Sequence, residues 1–154
     1  MPHSMDQFKT LRPKDINLEI PISDIEEELT FFMFNQPYLN TFDSSLLNEH
    51  LNYPGIKLEK EIKLKTKRLE TILDEYLSKL NSSKIDFFSI DVEGWDLRVL
   101  KSNNWELYRP EYILVEELFT NIIETLDGEI ANYLKTVGYQ LIAKTNETSF
   151  YKRN

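Results

Sequence analysis

The sequence predicts an α/β domain whose mixed sheet closes in an antiparallel C-terminal hairpin. Three observations carry that expectation. The stretch Lys84–Trp95, KIDFFSIDVEGW, sets Ile85, Phe87, Phe88, Ile90 and Val92 in a nearly continuous apolar run, as in a strand buried on both faces. It turns at Glu93-Gly94 and continues into Leu97, Val99 and Leu100 at helical spacing. Upstream, Leu69, Ile72, Leu73, Tyr76, Leu77 and Leu80 repeat as one face of an amphipathic helix. Downstream, Tyr139–Lys144 and Thr148–Lys152 flank a polar Asn146-Glu147 turn, as hairpin arms do.

Taken in order, Met1–Pro13 reads as polar and irregular, with Phe8 and Leu11 as its contacts. Asp15–Ser23 alternates Ile16, Leu18, Ile20 and Ile22 against polar residues, predicting a strand whose far end Pro21 limits. Leu29–Phe34, LTFFMF, predicts a second strand antiparallel to it. A polar, aromatic-bearing loop follows, with a weak helix over Ser44–Leu51 and a further strand within Ile56–Thr66. The amphipathic helix stops at the Asn81-Ser82-Ser83 turn before the central strand. Tyr112–Leu118 predicts a second buried strand, and Asp127–Val137 a helix closed by Gly138. No repeat or linker interrupts the 154 residues, so a single domain is expected.

Composition narrows the function classes. A net charge of −8 with no Lys/Arg-rich arm argues against a nucleic-acid partner. The chain has no cysteine, which removes disulfides, thiolate metal sites and cysteine nucleophiles together. No segment has the length and apolarity of a membrane span or a signal-peptide core, so no membrane partner and a cytoplasmic location are expected.

The candidate chemistry lies where strands end. Asp91 and Glu93 are two residues apart, and strict alternation would set them on one face beside the sheet's carboxyl edge, where ligands of open α/β sheets bind. One could orient an acceptor hydroxyl or take its proton; equally, both could serve only the turn and the helix that follows. Glu116 and Glu117 end the next strand and point to opposite faces, so one of the two is expected to face a pocket. Asp96 reads as a first-turn helix acid. Asn40 and Thr41, near Tyr38, lie in a loop suited to a hydroxylated acceptor, although a plain surface loop has the same character. Ser23 and Asp24 follow the first predicted strand, and an ordinary turn also explains them. His3 and His50 are isolated, and Asp91-x-Glu93 shows no third ligand for Mg²⁺, so no metal site is expected. Trp95 and Trp105 read as helix-packing residues.

SIDVEGWDLRVLKS followed by RPEYILVEE resembles the C-terminal half of the FkbM-type S-adenosylmethionine-dependent methyltransferases. The family pattern is a strand near I-D-x-E-G, a helix with an acid and L-x-V-L-K, and a strand ending in V-E. Here these are Ile90–Gly94, Asp96 with Leu97–Lys101, and Val115-Glu116. DINLEIPIS, the LNTF of Leu39–Phe42, KTKRLETILDEYL, GYQLIAKT and SFYKR are similar as well. The resemblance implies a class I methyltransferase-like (Rossmann-like) sandwich, with Asp91 and Glu93 beside the methyl-transfer site. It also implies that Ser23, Asp24 and Asp91 contact the cofactor, S-adenosyl-L-methionine, and that Asn40, Thr41 and Glu116 contact the acceptor.

The sequence also departs from the family. Its glycines are Gly55, Gly94, Gly128 and Gly138, none in G-x-G spacing, so the Gly-rich cofactor loop and the ribose-binding acid are missing. Met1 is therefore expected to be an internal methionine serving as a start, and the domain to be N-terminally truncated by its first β-α-β unit. The leading expectation is O-methylation of a glycan or small hydroxylated metabolite. A second is a non-catalytic remnant or half-domain needing a partner, its exposed sheet edge inviting a homodimer. A divalent-metal phosphoryl-transfer enzyme ranks last.

Overall fold

The computed structural model describes residues 5–79, 84–118 and 120–154. They form two compact units, Met1–Pro21 with Glu26–Lys67, and Ile22–Ile25 with Arg68–Asn154. The architecture is mixed α/β with two sheets.

In the first unit the N-terminal segment forms a helix, α1 (Met5–Leu11), where an irregular stretch is predicted from its polarity. Asp15–Ser23 corrects a second expectation: the segment is not an extended ladder strand. Its alternation is real, but Ile16 and Leu18 remain exposed, so no buried face rewards pairing, and Pro21 lacks a ladder donor. The partner of β1 (Glu28–Phe34) is instead β2 (Leu58–Lys65), antiparallel, from Glu28 opposite Lys65 to Phe34 opposite Leu58. A short 3-10 turn and α2 (Ser45–Leu51) occupy the connection.

The second unit is a four-stranded sheet ordered β3 (Phe87–Ile90), β4 (Tyr112–Glu116), β6 (Thr148–Arg153), β5 (Tyr139–Lys144). The β3–β4 pair is parallel, and the other two pairs are antiparallel. The helices are α3 (Leu69–Leu77), α4 (Asp96–Lys101), α5 (Ile122–Asp127) and α6 (Glu129–Thr136). The core gathers Ile90, Ile113, Val115 and Tyr151 from the sheet with Val99, Leu100, Ala131 and Leu134 from the helices. Trp105 is buried in it, edge-on to Phe88 and Tyr139, with its indole N–H donating to Leu100 O at 3.1 Å. Leu69 N donates to Ser102 Oγ at 3.0 Å, docking the start of α3 on the end of α4.

Two predicted features change. The central apolar run is not buried on both faces. β3 is the edge strand of its sheet, only Phe88 and Ile90 turn toward the core, and Phe87 is 59% exposed. The helix expected over Asp127–Val137 is present as α6, and a second helix that the sequence reading did not include, α5, precedes it, started by the reciprocal capping box of Asn121 and Glu124. Gly138, with φ 86°, ends α6 as predicted; a Cβ there would meet Arg109 Nη2 at 2.9 Å. The predicted Asn81–Ser83 turn and His3 lie outside the described residues.

Candidate active site

The parallel pair β3–β4 delivers acids to one end of the sheet. Ile90 pairs with Val115, so Asp91 leaves β3 level with Glu116 at the end of β4. The chain then turns through Val92–Trp95, closed by Trp95 N donating to Val92 O at 3.3 Å. Both central residues have positive φ, 54° at Glu93 and 88° at Gly94. That is a type I′ geometry, which glycine adopts freely and glutamate does not. Glu93 is therefore held in a sparsely populated backbone region that the surrounding turn must sustain. The strand has already ended at Ile90, so turn geometry, and not the strict alternation expected from spacing, sets the positions of Asp91 and Glu93.

Charge gathers at this end from four segments. Asp91 and Glu93 lie in the turn, Asp96 in the first turn of α4, Glu116 at the end of β4, and Glu147 between β5 and β6. Burial, reinforced by the charges of Asp91, Glu93, Asp96 and Glu147, pushes the Glu116 carboxyl from its ordinary 4.5 up to about 7. Asp96 is only 3% exposed, and its Oδ1 has no hydrogen-bond partner among the described residues. Burial raises its pKa, and the Asp91 charge adds to that, against backbone N–H groups of Asp96, Val92 and Gly94 that lower it.

Glu116 and Glu117 diverge, as their adjacency requires. Glu117 is held structurally: its Oε2 accepts from the Tyr151 hydroxyl at 2.8 Å and its carbonyl accepts from Lys144 Nζ at 2.5 Å. Burial first, and then the Glu117 contact, raises the Tyr151 hydroxyl far above its usual range. Glu116 is left facing the acids.

The other sequence candidates are placed elsewhere. Ser23 is fully buried, and its hydroxyl donates to Asp24 Oδ1 at 3.2 Å. The same oxygen accepts from Arg98 Nε at 2.6 Å, while Arg68 Nη1 donates to the Asp24 carbonyl. Burial raises the Asp24 pKa, but the Arg98 hydrogen bond and charge, with Ser23, outweigh it and leave it lowered. Arg98 also stacks over the Trp95 ring, 4.2 Å from its centre. This two-arginine clamp fastens residues 22–25 to the rest of the second unit. Asn40 and Thr41 belong to the first unit. Asn40 Oδ1 accepts from Phe34 N at 2.8 Å, and Thr41 exchanges backbone hydrogen bonds with Phe32. Thr41 is buried, and its hydroxyl accepts from Asp43 N at 3.0 Å. Both side chains thus complete backbone groups around β1. The structure brings Asp91, Glu93 and Glu116 together, and does not bring Ser23 or Asp24 to them as open ligand groups.

Sequence reasoning missed the burial of Asp96, the arrival of Glu147 and the pairing of Asp24 with Arg98. The register of β3 against β4 was the available signal for the first acids; the clamp joins residues 74 apart and left none. Among the described residues no group of three or more His, Asp or Glu side chains stands close enough to hold a metal ion, and no helix is long and apolar enough to cross a membrane.

Comparison with known proteins adds one finding. No curated protein and no solved structure matches the chain. Residues 9–141 match the family model of the Methyltransferase FkbM domain, spanning the parallel pair, its acidic turn and the helices that support them. The chain belongs to the FkbM methyltransferase family.

Proposed function

We propose that this chain is an S-adenosylmethionine-dependent methyltransferase of class I, Rossmann-like organisation, acting on a hydroxyl of a glycan or small hydroxylated metabolite. The observation that carries the reading is the convergence of Asp91, Glu93, Asp96 and Glu116 at the carboxyl ends of two parallel strands. A neutral hydroxyl is a weak nucleophile, and a carboxyl whose pKa lies near the working pH is an efficient proton acceptor. Burial first, and then the charges of Asp91 and Glu93, raise Glu116 toward that range.

The donor side does not fit as well. S-adenosylmethionine needs open hydrogen-bonding groups for its adenosine, and Ser23 is buried while Asp24 is committed to Arg98. The acidic edge suits a cationic group, but the described residues do not form a cradle for the nucleoside.

That mismatch, together with the edge position of β3, favours a second reading. In it the chain is a half-domain that lacks the first β-α-β unit and completes its donor site with a partner chain or a second copy paired along β3. Calorimetric titration of S-adenosylhomocysteine into the purified chain separates the two. Saturable binding that is lost in Asp91→Ala supports the methyltransferase reading for this chain alone. Absence of binding by a folded protein favours the half-domain.

A further inference from the structure

A cavity of 660 Å³ opens beside the acidic edge, in a part of the second unit to which the sequence assigns no role. Its walls include Leu118 and Thr120 beyond β4, Ile122 in the first turn of α5, and Lys144, Asn146 and Glu147 around the β5–β6 turn. Its size lies within the ~300–1,000 Å³ typical of small-molecule sites. Glu147 belongs both to this wall and to the acids that act on Glu116, so the cavity and the candidate active site adjoin.

We propose that this cavity seats the acceptor as a neutral, polyhydroxylated ring, a pyranose or a ring of like chemistry. The proposal rests on the methyltransferase reading for the word acceptor, and on the lining alone for the ligand class. Leu118 and Ile122 are both exposed and apolar, a surface for the C–H face of a ring. Lys144 donates, Glu147 accepts and Asn146 does both, which matches hydroxyls that themselves donate and accept. An anionic ligand would meet the charge of Glu147 in the wall and the acidic cluster around Glu116 beside it. A wholly apolar ligand would strip water from Lys144 and Glu147 with nothing returned. A neutral hydroxylated ring avoids both costs. Asn40 and Thr41, whose side chains complete backbone groups in the other unit, are not required for this seat.

Amide NMR of the isotopically labelled full chain tests it. The probes are the methyl glycosides of glucose, galactose and mannose, with glucose 6-phosphate as the anionic control, each to about 100 mM, far above the millimolar Kd of a weak ligand. At least one glycoside is expected to give saturable shifts centred on Leu118, Thr120, Ile122 and Asn146. Asn146→Ala and Ile122→Ala should each weaken it about fivefold, the effect of one lost contact. Saturation by no glycoside, shifts centred elsewhere, or equal binding of the phosphate overturns the proposal. Glycoside binding without S-adenosylhomocysteine binding keeps the seat and removes the methyltransferase reading; the converse removes the seat alone.

Discussion

Two carboxylates of the second unit, Asp24 and Glu116, meet opposite surroundings. Asp24 is enclosed by Arg98 and Arg68, and its pKa is lowered despite burial. Glu116 is enclosed by Asp91, Glu93, Asp96 and Glu147, and burial and charge act in the same direction. One acid holds a chain segment in place; the other carries an electrostatic cost. At Glu116 burial and then like charges both oppose ionisation, whereas at Asp24 the arginine outweighs burial and holds the carboxylate charged. The contrast separates two acids that residue type does not, since both stand at strand or segment ends.

The strongest way to break this contrast is Arg98→Ala. It strands the half-buried Asp24 and removes the cation stacked on Trp95, so stability at neutral pH should fall by about 2 kcal/mol. The exposed part of the pair keeps the loss below that of a fully buried bridge. Because the Asp24 pKa is lowered, its contribution is present above the ordinary value of 3.8 and fades as pH falls through the folded pKa. Denaturant melts of the two proteins should therefore draw closer in acid, leaving only the part due to the Trp95 contact. Melts that stay equally far apart at low pH would remove the clamp as the cause.

Glu116→Gln should act in the opposite sense. Between 4.5 and about 7 the folded protein holds a proton that the unfolded chain has released, so this group makes stability fall as pH rises through that window. The glutamine variant escapes the decline and should be more stable above the window by about 1–2 kcal/mol, with equality below it. A variant that is no more stable in mild alkali would contradict the account of the cluster. A smaller test sharpens it: Asp91→Asn should lower the Glu116 pKa by about half a unit, read from the side-chain carboxyl signal in an NMR titration. An unchanged midpoint would mean that Asp91 does not act on Glu116.

Much of this was legible locally. Apolar runs and helical periods located β1, α3, β3, α4, β4 and the terminal hairpin, because each is specified by residues close in sequence. The I-D-x-E-G and V-E segments located Asp91, Glu93 and Glu116 at strand ends, and the family resemblance they carried is the one the family model identifies. Asp15–Ser23 was misread because alternation only requires that a strand could form, whereas pairing requires a neighbour and a buried face. The β1–β2 pair was out of reach for a related reason: 23 residues of loop and helix separate the two strands, and nothing in either names the other.

The sequence by itself determined the types of most elements from β1 onward, the acidic strand ends and the family. Tertiary structure alone decided which acids are neutralised and which are crowded, because charge interaction depends on distance across the fold and not along the chain. Arg98 reaches Asp24 from 74 residues away, and Glu147 reaches Glu116 from the far hairpin. Burial, which turned Asp96 from a helix-start acid into a desolvated group and left Phe87 at an exposed edge, is likewise a property of packed neighbours.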